Sequence, residues 1–391
     1  MEPDLARWLV SPAAAPALAA AEAEADPDSL AAAARLRRDY PPDQAAAALT
    51  QVRLRRRAAA KFGDRAAELF FTVAGLEQAT RAEVATWRAT RFVEGGASRV
   101  VDIGCGLGAD ALAFAEAGLE VIAIEADPAT AVLAAANLGD VGRVICGDAT
   151  GQADRSAHEL LLAELATPNT AVFLDPARRT AAGRTWRVAD FAPPWDFATG
   201  LLGGRFGCIK AAPGLPLNLV PDWFGATWVS HRGDLVETSL WSSGALEAVL
   251  LPTGHRLEFD GSKAPIGGLG RFLYEPDPAV IRSGAIGALA GRLSAHRPAD
   301  GIAYLFADEL TPTPFAHAFE VLDVLPYDAR TLRAWVREHG IGVLEIKCRG
   351  IEVDPAVLRR QLKPKGAASA TLVLTPTPEG ARALVVARVP Q

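Results

Sequence analysis

The chain lacks any stretch that would cross a membrane. Its longest uncharged run near the N-terminus, Trp8–Ala21, falls short of the ~18 to 20 residues a spanning helix needs. That run also carries Pro12 and Pro16 and follows Glu2 and Asp4, so no signal peptide is read there. Cysteine is scarce: four residues, at 105, 146, 208 and 348, with no CxxC pair. This excludes a disulfide framework and a thiolate zinc site and points to the cytoplasm. None of the six histidines, at 158, 231, 255, 296, 317 and 339, stands at metal-ligand spacing from another, so no catalytic metal is expected. Excess positive charge is missing too. A net charge of −6 excludes nucleic-acid binding driven by the charge of the whole chain.

With 391 residues, half of them hydrophobic and 22% charged, the chain has the composition of a folded protein of more than one domain. Residues 1–93 are rich in Ala, Leu, Arg and Glu, with apolar positions recurring every three or four residues, as in Leu69, Phe70, Val73 and Leu76. This pattern predicts a helical N-terminal cap. From Arg99 short apolar runs alternate with helical stretches. Strands are expected at 100–103, 121–125, 144–146 and 171–174, and helices at 110–117, 128–137 and 156–165, the signature of parallel strands with covering helices. Residues 227–251 read as two or three antiparallel strands that finish the sheet. The region 253–318, dense in Gly and Pro at its start, reads as a linker and a small α+β, ferredoxin-like module. Residues 319–391 read as a final α/β module.

Local charge is more informative than the total. Between Arg330 and Lys365 nine basic residues face four acidic ones, a net of +5. A second basic cluster, Arg53, Arg55, Arg56, Arg57 and Lys61, lies near the N-terminus.

The segment Val100–Asp110 contains Asp102, Gly104, Gly106 and Gly108 between a strand and a helix start. Glycines there let the backbone turn tightly and a ligand approach without a Cβ in the way. Gly104, Gly106 and Ala109 alone would also fit a dinucleotide fingerprint. Asp102, two residues before the first glycine, can instead help hold a ligand's ammonium group. Glu125 ends the next strand, where a carboxylate accepts ribose hydroxyls. Asp148 follows the third strand, placed to receive an adenine amino group.

These residues, in this order and strand context, resemble the class I S-adenosylmethionine-dependent methyltransferases over about residues 94–252. The resemblance implies a doubly wound, Rossmann-like sheet of seven strands with a terminal antiparallel hairpin. It also implies S-adenosyl-L-methionine as cofactor, held by Asp102, Gly104, Gly106, Gly108, Glu125 and Asp148. At the end of the fourth strand, Asp175 and Pro176 match the start of the D/N-P-P-aromatic motif of methyltransferases acting on base nitrogens, but Ala177 and Arg178 replace its last two residues. Asp175, Pro176 and Arg178 are the expected catalytic positions, with Arg178 and Arg179 available to a phosphate or carboxylate. Trp186, Phe191 and Trp195 are candidates for base stacking that fit a core role better. Lys210, at the end of the next strand, is a weaker site candidate, since strand-end lysines often only reach for solvent, and Glu237 could face the crevice but fits a solvated strand residue better.

The C-terminal segment, with Lys347-Cys348-Arg349-Gly350 followed by a basic helix, resembles the THUMP-like domain that follows a methyltransferase core in a bacterial family. That resemblance implies delivery of a structured RNA such as tRNA or rRNA, and hence methylation of a base in it. Two alternatives stay open: a small-molecule methyltransferase, and a non-catalytic RNA-binding protein with a vestigial methyltransferase fold.

Overall fold

The computed structural model describes residues 1–153, 155–176, 179–180, 183–184 and 190–390. The chain divides into two compact units, Met1–Gly225 with Ser239–Gly244, and Ala226–Thr238 with Ala245–Gln391.

The first unit opens with α1 (Pro3–Val10), α2 (Ala15–Glu22), α3 (Leu30–Leu36), α4 (Pro42–Phe62), α5 (Val73–Gln78) and α6 (Ala82–Glu94). Their Ala and Leu positions build one small core of their own, Ala17, Ala32, Leu36, Ala48 and Val52 among it. Other faces merge with the next layer: Leu9, Leu54, Phe71 and Phe92 share a core with Phe114, Leu133 and Phe173. The N-terminal helices are therefore built into the first unit. The basic cluster on α4 is largely consumed in holding them. Arg53 pairs with Asp28, Arg55 with Glu22, and Arg56 donates to the carbonyls of Glu22, Glu24 and Ala25.

Strands β1 (Arg99–Ile103), β2 (Glu120–Glu125), β3 (Gly142–Cys146), β4 (Thr170–Leu174) and β5 (Gly207–Ala211) lie in the order β3-β2-β1-β4-β5, each pair parallel. Helices α7 (Ala109–Glu116), α8 (Pro128–Leu138), α9 (Arg155–Leu165) and α10 (Trp195–Leu202) connect them. The chain continues through β6 (Gly225–His231) and β7 (Asp234–Trp241). The last residues of β7 belong to the first unit and lie next to β5. There the Ser242 amide donates to the Gly207 carbonyl at 3.1 Å, which sets the end of β7 beside the start of β5. These two strands therefore run antiparallel.

In the second unit β6 and the first half of β7 are neighbours. They are joined by Arg232 and Gly233, with φ of 55° and 86°, the left-handed pair that matches strand twist in a tight hairpin. The doubly wound sheet and its closing hairpin are as expected from the sequence. The third strand of the 227–251 region is a correction: β8 (Leu246–Leu251) pairs parallel to β6. The chain reverses direction twice between them, so β8 returns in the direction of β6, and β9 (His255–Glu258) then pairs antiparallel to β8. Glu237 is also a correction, being 4% exposed rather than solvated.

A second sheet contains β10 (Phe272–Pro276), β11 (Leu305–Ala307), β12 (Ala316–Pro326), β13 (Ile341–Cys348), β14 (Ala368–Thr377) and β15 (Gly380–Arg388), in the order β11-β10-β12-β15-β14-β13. Strands from the 253–318 and 319–391 segments thus share one sheet. Between β10 and β11 come α11 (Pro278–Arg282) and α12 (Ile286–Leu293). Helices α13 (Ala329–Glu338) and α14 (Pro355–Leu362) bury Leu332, Val336, Leu358 and Leu362 against Leu344, Ile346, Leu372 and Val385. Asp328 and Asp354 cap the two helices by accepting amide hydrogens of the first turn. Strand alternation sends Tyr304, Phe319, Val373 and Leu384 into a separate core.

Candidate active site

The described site residues of the first unit gather at the C-terminal ends of its parallel strands, where a doubly wound sheet leaves a crevice. Gly104 and Gly106 follow β1 with φ of 77° and 56°, a conformation that L side chains avoid. A Cβ at Gly104 would stand 3.4 Å from the Asp175 carbonyl, so a residue with a side chain would crowd the start of the next loop. The turn is held by the amides of Gly104 and Cys105, which donate to Ile124, and by the Gly108 amide, which donates to Cys105.

Glu125 ends β2 and braces the turn. Its Oε2 accepts the Gly106 amide and its Oε1 the Asp127 amide, both at 2.9 Å. Each oxygen keeps a lone pair for a further donor. Burial raises the Glu125 carboxyl, partly offset by these amides. Asp148 sits in a tight loop after β3. Its oxygens accept from the Thr150 amide and hydroxyl and from the Ala153 amide. Burial works against the charged form, but these bonds outweigh it and hold Asp148 below the usual carboxylate range. The burial of the Cys105 thiol, next to Asp102 and Glu125, pushes it well up and keeps it protonated.

Asp102, near the C-terminal end of β1, is fully buried, and neither carboxylate oxygen has a hydrogen-bond partner among the described residues. Burial, and then the nearby Asp110 and Asp175 charges, lift its carboxyl well above the ordinary value. An acceptor pair this enclosed is costly unless a donor or cation joins it.

Beyond β4 the Asp175 side chain is partly exposed, and its Oδ2 accepts from the Lys210 ammonium of β5 at 2.6 Å. Pro176 is buried. Arg178 and Trp186 lie outside the described residues. Phe191 and Trp195 are buried against each other, ring centroids 5.5 Å apart, in the core role expected of them.

Four further groups join Asp175, and three of them escaped the sequence reading. Lys210 also donates to the Thr80 hydroxyl at 2.8 Å, and Thr80 donates to Asp110 Oδ2 at 2.6 Å. Arg88 donates from Nε to Asp110 Oδ1 at 3.0 Å and from Nη1 to the Ser239 hydroxyl at 2.7 Å. Its guanidinium lies 4.9 Å from the Phe173 ring centre. Burial disfavours the Asp110 charge, but Arg88, Lys210 and Thr80 outweigh it and keep the carboxyl below its usual value. The signal for Arg88 was present in the sequence: a lone cation within the buried face of α6 formed by Val84, Ala85, Ala89 and Phe92. Lys210 is engaged in the site and does not reach for solvent.

In the second unit the basic run divides. Lys347 pairs with Glu275 at 2.8 Å, and Arg349 stacks over Tyr304 at 5.4 Å. Arg333, Arg337, Arg360, Lys363 and Lys365 are exposed and have no ion pair among the described residues. They belong to α13, α14 and the turn after α14.

Comparison with known proteins gives the family and the fold. Residues 316–388 match the family described as THUMP domain-like, and residues 2–58 match a domain of unknown function. Two proteins named as uncharacterised S-adenosylmethionine-dependent methyltransferases, from Mycobacterium tuberculosis strains CDC 1551 and H37Rv, are each 32% identical over 352 residues. The alignment covers 86% of this chain and 94% of each relative. A crystal structure assigned as a methyltransferase of Porphyromonas gingivalis W83 is 23% identical, with a TM-score of 0.75 over 90% of this chain and 92% of that one. That likeness shows the fold. Among the described residues no helix is long and apolar enough to cross a membrane, and no group of three or more potential ligands could hold a metal. The chain belongs to the S-adenosylmethionine-dependent methyltransferases: it is an enzyme that takes its methyl group from S-adenosylmethionine and carries a THUMP-like domain at its C-terminus.

Proposed function

We propose that this methyltransferase acts on a structured RNA, tRNA or rRNA, in the cytoplasm, and that its acceptor is a base. The observation that carries the reading is the set of exposed cations Arg333, Arg337, Arg360, Lys363 and Lys365 on the THUMP-like domain, which make no ion pair among the described residues. An otherwise acidic chain gains from such a set a local surface for a phosphate backbone. The described residues contain no disulfide, which accords with a reducing compartment.

The residues present fit the cofactor. Asp102, with two buried unpartnered oxygens, calls for a cationic donor, which the ammonium of the methionine moiety supplies. The turn at Gly104, Gly106 and Gly108 leaves its backbone bare for that same end. Glu125 keeps lone pairs that would take the ribose hydroxyls, and Asp148, its oxygens largely engaged within its own loop, would take the adenine amino group. When bound, S-adenosylmethionine supplies an electrophilic methyl group. The chain's own part is alignment and exclusion of water. Asp175 orients the acceptor and takes up its proton, the Pro176 carbonyl accepts from the acceptor's N–H, and Arg178 meets a phosphate.

The test is transfer of a labelled methyl group from S-adenosylmethionine to small and ribosomal RNA from a strain lacking the protein. Label in one RNA band, lost with Asp175→Ala and falling steeply with salt, supports the reading. Replacing Lys363 and Lys365 by Glu should weaken RNA binding and leave cofactor affinity as it was. Equal RNA affinity in that variant removes the C-terminal patch from the reading, and label only in a small-molecule fraction overturns it.

A further inference from the structure

We propose that Lys210, seated by Thr80 of the N-terminal helical region, is a positioning residue that holds one oxygen of Asp175 so that the other faces the acceptor. The inference rests on the reading of Asp175 given above. It assigns to the N-terminal helices a part in the reaction centre.

The chain of contacts is continuous. Lys61, at the end of α4, donates to the carbonyls of Leu76, Glu77 and Ala79 at 2.6, 3.1 and 3.0 Å, and so ties down the end of α5. The next residue is Thr80. Its hydroxyl donates to Asp110 and accepts from Lys210, so its single hydrogen and its lone pair have fixed and opposite uses. Lys210 then donates to Asp175 Oδ2, while Oδ1 takes no hydrogen bond among the described residues. At the other end of this segment Asn137 of α8 clasps the Phe70 amide and carbonyl and also donates to the Leu107 carbonyl within the glycine turn. The stretch 70–80 is therefore fastened both to the cofactor turn and to the acceptor residue.

The charges arranged around Asp175 give the fastening a purpose. Burial first of all raises the Asp175 carboxyl, and Asp110 on α7 adds to this, whereas Lys210 on β5 and, less, Arg88 on α6 favour the ionised form. Arg88 is already spent on Asp110 and Ser239. Lys210 is the cation in direct contact, and a flexible lysine holds a fixed carboxylate only if its own head is fixed.

The test follows the carboxyl of Asp175 by NMR in full-length protein labelled with carboxyl-13C aspartate, with Asp175→Asn to assign the signal. Lys210→Met should raise its titration midpoint by about one pH unit or more. Thr80→Val should raise it less, and Lys210→Arg should restore it. Methyl transfer should show its acid limb displaced toward higher pH in Lys210→Met, by about tenfold to a hundredfold at pH 6, with affinity for S-adenosylhomocysteine unchanged. A midpoint unmoved in Lys210→Met, in protein whose circular dichroism matches the parent, overturns the inference. Normal transfer by Asp175→Asn instead overturns the reading of Asp175 beneath it. If no RNA accepts label, the RNA reading falls, and the carboxyl titration still decides whether Lys210 sets Asp175.

Discussion

Replacing Arg88 by Met should destabilise the first unit by about 3 to 4 kcal/mol at pH 7 and by roughly half that at pH 5. Arg88 is fully buried and its partner Asp110 nearly so, 3.0 Å away. At that distance and an effective dielectric of about 20 the pair attraction is about 5 kcal/mol. Part of this is returned when the guanidinium no longer needs to be desolvated, and Met fills much of the vacated volume. Asp110 cannot remain charged at any cost, because it can take up a proton. With an ordinary value of 3.8, neutralising it at pH 7 costs about 4 kcal/mol, and at pH 5 about 1.6. The penalty is therefore capped, and the cap falls with pH.

In the parent the sign is opposite. Asp110 is held below its ordinary value, so its stabilising contribution is complete above pH 3.8 and is lost only as pH falls through the lowered value. Between pH 5 and 7 the parent pair stays ionised, whereas in the variant only Lys210 and Thr80 still favour the Asp110 charge against burial. Urea unfolding at the two pH values, with circular dichroism and tryptophan fluorescence tracing the same transition, measures the difference. In an Asp110→Asn background the Arg88→Met change should cost at least about 2 kcal/mol less at pH 7, the coupling expected of groups in contact. A loss below about 1 kcal/mol, or the same loss at both pH values, would refute the account of this pair as a buried ionic brace.

Two further outcomes are expected. Glu125→Ala should weaken S-adenosylmethionine binding by about 1 to 3 kcal/mol, read by calorimetry, and an unchanged dissociation constant would break the ribose assignment. Asp102→Asn should stabilise the cofactor-free protein progressively as pH rises from 5 to 8. The folded carboxyl is raised, first by burial, so the unfolded chain ionises before the folded one and the parent loses stability as pH climbs. Asn carries no such loss. The same variant should bind the cofactor more weakly, and melting temperatures that differ from the parent equally at pH 5 and pH 8 would contradict the burial argument.

What could be read from the sequence was what is local in it. The turn at Gly104 and Gly106, Glu125 nineteen residues on, and the strand period of 99–174 all express themselves within short windows, and the structure places them together. The burial of Glu237 and the ion pair of Lys347 could not be read in this way. A strand residue's face is fixed by its neighbours across the sheet, and the partner of Lys347, Glu275, is 72 residues away. The acceptor side of the site is built almost wholly in this non-local way: Lys210 meets Thr80 across 130 residues, and Arg88 meets Ser239 across 151. Cofactor recognition follows the sequence closely because one βαβ unit can supply the turn and the ribose acid. Under the roles proposed above, acceptor chemistry is set by side chains converging from α6, α7, β4, β5 and β7. It follows that two chains sharing the glycine turn and its acids can differ in acceptor, and that Thr80, Asp110 and Lys210 divide them better than the glycines do.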